Sequence, residues 1–156
     1  LNVEAVKRLA DGCDNLVGLK DGKGDIQTLN ITIKTLGKRL AYVGGVPTAE
    51  IIAEAYLAIG VSTYSSAVFN FVPEMAVKFY KALRQGDSKF VNKVIREFFI
   101  PFVALRDTTP GYAVSLVKAG ADIVGYPGGR VRAPLTMPSE EQLTKLKKLV
   151  DISKSF

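Results

Sequence analysis

Three times in the first 86 residues a short apolar run leads into a loop of glycine or small polar residues and then into a stretch with helical spacing. Leu16-Val17-Gly18-Leu19 precedes the turn Asp21-Gly22-Lys23-Gly24-Asp25 and a helix with Ile26, Leu29, Ile33 and Leu36 on one side. Leu40-Ala41-Tyr42-Val43 precedes Gly44-Gly45-Val46-Pro47 and a helix carrying Ile51, Ile52, Ala55, Tyr56 and Ile59, closed by Gly60. Val61-Ser62-Thr63-Tyr64-Ser65 precedes a loop over 66–72 and a helix that opens at Pro73 and ends near Gly86. Continuous apolar runs suit strands covered on both faces, as in parallel sheets. Their alternation with helices at a period of roughly 20–25 residues predicts an α/β fold.

The flanking signals agree. Val3–Ala10 has helical spacing and Asp11-Gly12 ends it. Asp25 and Thr48 are the expected N-caps of the second and third helices. Beyond Gly86 no strand is predicted. Ser88 is the expected cap of a long apolar helix over 90–105, interrupted near Pro101, and a further helix covers 111–119. Ser139-Glu140-Glu141-Gln142 has the form of a capping box, opening a helix with Leu143, Leu146, Leu149 and Val150 inward. The chain thus divides into βα units over 1–86 and a helical extension over 87–156. Three parallel strands make a poor independent sheet, because both faces need cover and both edges lie open. The pattern therefore predicts the last three βα units of a (β/α)8 barrel, strands six to eight, within a polypeptide nearly twice as long.

Composition narrows the chemistry. At 47% hydrophobic and 23% charged residues the chain is globular in character. It lacks an apolar run of the roughly 18–20 residues that cross a bilayer, and Leu1–Arg8 lacks the layout of a signal peptide. A cytoplasmic location and no membrane partner are expected. There is no histidine, so Ser-His-Asp and Cys-His mechanisms and the usual zinc sites are excluded within this chain. The single Cys13 excludes an intrachain disulfide and reads as an inert thiol. Net charge is +6, but the basic residues are scattered and the run Lys145–Lys148 fits a solvated helix face. No nucleic-acid motif accompanies them, so no nucleic-acid partner is expected. An acidic metabolite is the better match for the charge.

In barrels and doubly wound sheets the chemistry sits at the carboxyl ends of the strands. Three places qualify. Lys20 ends the first strand, where its amine either faces a barrel mouth, ready to attack a ketone, or has merely left the sheet. Gly44-Gly45 either admits a ligand to the backbone or forms a plain turn. Ser65, Ser66 and Asn70 either hold hydroxyl or carboxylate groups of a substrate or cap their own loop. Asp21 and Asp25 are a turn and a cap rather than metal ligands. Gly22-Lys23-Gly24 lacks the spacing of a phosphate loop.

Together these segments resemble a known superfamily. Asn15-Leu-Val-Gly-Leu-Lys20-Asp-Gly-Lys-Gly-Asp25 is similar to the Schiff-base strand of the dihydrodipicolinate synthase/N-acetylneuraminate lyase superfamily. Gly44-Gly45 matches its substrate-facing glycine loop, and Ser66-Ala-Val-Phe-Asn70-Phe-Val-Pro73 its eighth-strand loop. Val131-Arg132-Ala133-Pro134-Leu135 resembles part of its C-terminal helical segment, so the resemblance runs from end to end. Lys20-Asp21-Gly22, the segments over 44–50 and 63–71, and Gly111-Tyr112-Ala113-Val114-Ser115 favour one branch, whose members dehydrate and decarboxylate 5-dehydro-4-deoxy-D-glucarate. The resemblance implies 2,5-dioxopentanoate, water and carbon dioxide as products. It implies Lys20 as the imine-forming residue, and Gly45, Ser65, Ser66 and Asn70 as substrate-binding residues. No metal or organic cofactor is implied. The family's catalytic tyrosine and carboxylate-binding loop lie in its N-terminal half and have no counterpart here, so the isolated chain should be inactive.

Other readings remain open: a keto-deoxy-sugar aldolase or dihydrodipicolinate synthase, or a non-catalytic α/β module that binds sugar acids. A homo-oligomer is expected, because the superfamily commonly forms tetramers. The apolar residues Phe98, Phe99, Ile100, Phe102 and Val103 are either its contact surface or the core of the helical tail.

Overall fold

The computed structural model describes all residues, Leu1–Phe156. They form two compact units, Leu1–Ser65 and Ser66–Phe156. The helix that follows the third strand packs with the helical tail. This division by packing is distinct from the expected division of topology at 86/87.

The first unit is a three-stranded parallel sheet, order β1-β2-β3, with β1 Gly18–Asp21, β2 Ala41–Gly44 and β3 Thr63–Tyr64. Helices α1 (Val3–Gly12), α2 (Ile26–Leu36) and α3 (Ala53–Ile59) cover one face. Asn2 caps α1 by accepting from the Ala5 amide, and Asp25 caps α2 through the Thr28 amide. Leu29 and Ile33 of α2 are buried against Val6, Ala10, Leu40, Tyr42 and Tyr56.

Two expectations are corrected here. β1 begins two residues later than the apolar run. Val17 is 75% exposed, and the strand instead carries Lys20 and Asp21. Within residues 1–156, β1 pairs with β2 alone. Thr48 is not a side-chain cap: it sits in the left-handed region at φ 57°, buried, and turns the chain into a 3-10 segment, Ala49–Ile52, ahead of α3. That conformation is costly for a β-branched residue. It brings Ala49 into the core with no solvent contact.

The second unit is wholly helical: α4 Pro73–Gln85, α5 Ser88–Val94, α6 Ile100–Arg106, α7 Tyr112–Ile123 and α8 Glu140–Ser153. Pro73 opens α4 and Gly86, at φ 74°, ends it. The cap of α5 is Asp87, whose side chain accepts from the Phe90 amide, rather than Ser88. A single π turn, Ile95–Phe99, joins α5 to α6 directly ahead of Pro101. Proline cannot donate to the carbonyl four residues back, and the wider turn absorbs that loss. The capping box at Ser139 and Gln142 forms in full. Phe79, Phe98, Phe99, Phe102 and Leu116 make the centre of this unit. Phe98, Phe99 and Phe102 therefore face inward and cannot serve as a contact surface. Of that apolar run Ile100, 54% exposed, faces solvent. The Lys145–Lys148 run is solvated apart from the buried Leu146.

Candidate active site

Successive residues of a strand point to opposite faces of its sheet. The register pairs Lys20 with Val43 and Val43 with Thr63, which puts these three in one row. Leu19, Tyr42 and Tyr64 pack into the helix-covered core, so the row of Lys20 lies on the other face. There Lys20 and Thr63 are exposed and Val43 is half-buried. Gly45 and Ser65 follow Val43 and Thr63 by two residues and continue on that face toward the strands' carboxyl ends. The Ser65 amide donates to the Gly44 carbonyl at 2.9 Å, extending the ladder by one bond. With strands about 4.8 Å apart, Lys20 and Thr63 stand roughly 10 Å from each other across the sheet.

The paired glycines have separate duties. A Cβ on Gly45 would lie 2.4 Å from Lys20 Cε and 2.5 Å from its Cγ, so the lysine stem lies directly against the Gly45 backbone. A Cβ on Gly44, on the opposite face, would lie 2.5 Å from the ring of Tyr56. The first glycine admits a core aromatic and the second admits Lys20.

Lys20 makes no hydrogen bond or ion pair, and its side chain is exposed. Its neighbour Asp21 points to the helix face. There it accepts the Lys23 amide at 2.9 Å, the Gly24 amide at 3.1 Å and the Tyr56 hydroxyl at 2.9 Å. Asp25 is held by the Thr28 amide and hydroxyl and by Lys23. Those Thr28 hydrogen bonds, more than the nearby lysine, keep its carboxyl below the usual carboxylate range. Asp25 is thus engaged within its own turn and Asp21 by its turn and Tyr56, and no group of three acidic or cysteine side chains is arranged to hold a metal ion.

The remaining sequence candidates belong to the second unit. Ser66 is half-buried and Asn70 exposed, and the Asn70 amide donates to the Ala67 carbonyl at 2.9 Å, capping its own turn. Sequence reasoning missed Tyr56 as a partner of Asp21 and Thr63 as a member of the Lys20 row. The apolar helix pattern marked Tyr56 only as core, and no local signal pairs it with a residue 35 positions earlier.

A parallel α/β arrangement with an unpaired lysine at the carboxyl end of a strand is a frame for chemistry at strand ends. The chain belongs to the Dihydrodipicolinate synthetase family, which residues 1–153 match. It is 51% identical over 156 residues to a probable 5-dehydro-4-deoxyglucarate dehydratase of Rhizobium rhizogenes, covering 99% of this chain and 51% of that protein. It is 52% identical over 149 residues to the 5-dehydro-4-deoxyglucarate dehydratase of Pseudomonas putida, covering 94% of this chain and 49% of that one. The chain therefore spans about half the length of these curated relatives. Among solved structures, dihydrodipicolinate synthase from Oceanobacillus iheyensis superposes with a TM-score of 0.84 at 26% identity, over 100% of this chain and 52% of that one. N-acetylneuraminate lyase of Proteus mirabilis shares the fold, with a TM-score of 0.81 at 18% identity over 99% of this chain and 50% of its own.

Proposed function

We propose that this chain carries the imine-forming half of a 5-dehydro-4-deoxyglucarate dehydratase. The observation that carries the reading is Lys20, unpaired and exposed on the helix-free face of a parallel sheet, its stem against the Gly45 backbone. About half identity to proteins of that name, over nearly the whole chain, supports the particular substrate. In this reading residues 1–86 are strands six to eight of a (β/α)8 barrel with their helices, and 87–156 are its helical extension. Lys20 adds to the ketone of the keto-sugar diacid and forms an imine. The protonated imine withdraws electrons as the carbon–oxygen and carbon–carbon bonds break, releasing water and carbon dioxide, and water then hydrolyses the imine to free 2,5-dioxopentanoate and restore the Lys20 amine. Gly45, Ser65, Ser66 and Asn70 hold the substrate's hydroxyl and carboxylate groups. The net charge of +6 favours a dianionic substrate. No metal or organic cofactor takes part. Proton transfer and the second carboxylate contact come from polypeptide outside residues 1–156, and the complete enzyme is a soluble cytoplasmic homo-oligomer. No helix here is long and apolar enough to cross a membrane.

Borohydride reduction of the full-length protein with its keto acid tests this reading. A stable adduct on Lys20, with carbon dioxide and 2,5-dioxopentanoate as products, is the expected result. Pyruvate in their place would mark a retro-aldol enzyme of the same family. Absence of an adduct on any lysine would sink the imine mechanism.

Gly45→Ala supplies a second expectation. The new methyl group would press on the Lys20 stem and on the Asp21 carbonyl oxygen, 2.9 Å away. The lysine swings off its line while the sheet persists. Turnover of the full-length variant falls by roughly 10–100-fold, the scale of a misplacement of about 1 Å. Kinetics on protein of unchanged circular dichroism check this; activity within a factor of two of the parent would contradict it.

A further inference from the structure

We propose that Tyr56 and Asp21 form a positioning pair that fixes the end of β1 and so sets the place of Lys20. The inference rests on the reading of Lys20 as the imine-forming residue.

β1 is a strand of four residues that pairs with β2 along its whole length. Lys20 and Asp21 stand at its carboxyl end, where the chain leaves the ladder for a turn. Lys20 is the third of the four residues, and its side chain makes no hydrogen bond or ion pair, only the contact of its stem with the Gly45 backbone. Further restraint acts through its own backbone. Asp21, one peptide further, supplies that restraint on the far face. Its carboxylate gathers the Lys23 and Gly24 amides and closes the turn that leaves the strand. The same carboxylate accepts the hydroxyl of Tyr56, 35 residues later on α3. Tyr56 is 1% exposed and is packed in the core with Val6, Leu29 and Ile33, so it is an anchor rather than a mobile partner.

The glycine before Gly45 serves this contact. The ring of Tyr56 lies so close to Gly44 that a Cβ there would sit 2.5 Å from its Cε2 and 2.8 Å from its Cδ2. Gly44 pairs with Asp21 in the ladder. Asp21, Gly44 and Tyr56 thus form a backing on the helix face, directly behind Lys20 and Gly45 on the open face. Burial, and then the Asp21 carboxylate, push the Tyr56 phenol well above its ordinary range, so it remains a donor. A second consequence concerns charge. Held by Tyr56 and the turn amides, the Asp21 carboxylate points away from the face of Lys20 and does not pair with its amine.

Tyr56→Phe, Asp21→Ala and the double variant, each in the full-length protein, test the proposal against wild type. Tyr56→Phe keeps the ring in the core and loses one hydrogen bond. It is expected to lower kcat roughly tenfold, with KM within twofold, and to slow borohydride trapping on Lys20 in proportion. Asp21→Ala, which also releases the turn, is expected to lower kcat further. If Tyr56 acts through Asp21, the double variant is no slower than Asp21→Ala alone. Wild-type kcat and trapping in Tyr56→Phe, even with a lowered melting temperature, would reduce the pair to an ordinary structural contact and overturn the proposal. Fully multiplicative losses in the double variant would overturn it too. Failure of the wild-type protein to trap at all would instead sink the imine reading, and the positioning role with it.

Discussion

Lys20→Met in the full-length protein is expected to lower turnover by on the order of 10⁴-fold or more, the scale on which a covalent nucleophile acts. The fold should not register the change. Within residues 1–156 Lys20 is exposed, makes no hydrogen bond or ion pair, and contributes a flexible stem against a glycine. Exposed side chains of this kind move stability by roughly 0.5 kcal/mol or less. The separation of a total catalytic loss from an unchanged melting temperature is the signature sought. Lys20→Arg sharpens it, because arginine keeps the positive charge but cannot form an imine under these conditions. If Lys20 only attracted the dianionic substrate, Arg would restore most of the activity and Met would raise KM rather than abolish kcat. Measured kcat, KM and borohydride trapping for both variants decide between the two.

Phe98→Ala should have the largest effect on stability, about 3–5 kcal/mol. Phe98 has no solvent contact and lies in the π turn between α5 and α6. Its ring meets Phe99 edge-on with centroids 5.2 Å apart and stacks with Phe102 at 5.9 Å. Alanine loses the buried ring and leaves a void among side chains anchored on separate turns, which can close only in part. Against the ~5–15 kcal/mol that holds a typical domain together, this is a large fraction. Ile100→Ala, two residues on but 54% exposed, should cost far less. Denaturant midpoints of the two full-length variants give the comparison. Equal losses would mean that this segment is not a core with one outward residue, and would return it to the role of a contact surface between subunits.

The two cases show where sequence reasoning reached and where it stopped. Periodicity located α1, α2, α4 and α8, because caps and apolar spacing act within a few residues. Asp25, Pro73, Gly86 and the Ser139–Gln142 box each did locally what their chemistry requires. The π turn was legible as an interruption near Pro101 but not as a π turn, since its form depends on how the flanking helical segments pack. Thr48 misled for a similar reason. A threonine before a helix usually caps it, yet here the chain's path forces it into a left-handed conformation.

The order of βα units, the parallel sheet and the position of Lys20 at a strand end were determined by the sequence alone. These follow from chain-local preferences and from the short connections that βα units impose. Tertiary structure alone decided which side chains share a face. The register set Lys20 beside Val43 and Thr63, turned Asp21 back toward Tyr56, and gave each of two adjacent glycines a different neighbour. It also turned Phe98, Phe99 and Phe102 inward and left Ile100 outside. The physical reason is the same throughout. A period of two or of 3.6 says that residues alternate, whereas the direction in which they alternate is chosen by the surface the element is packed against.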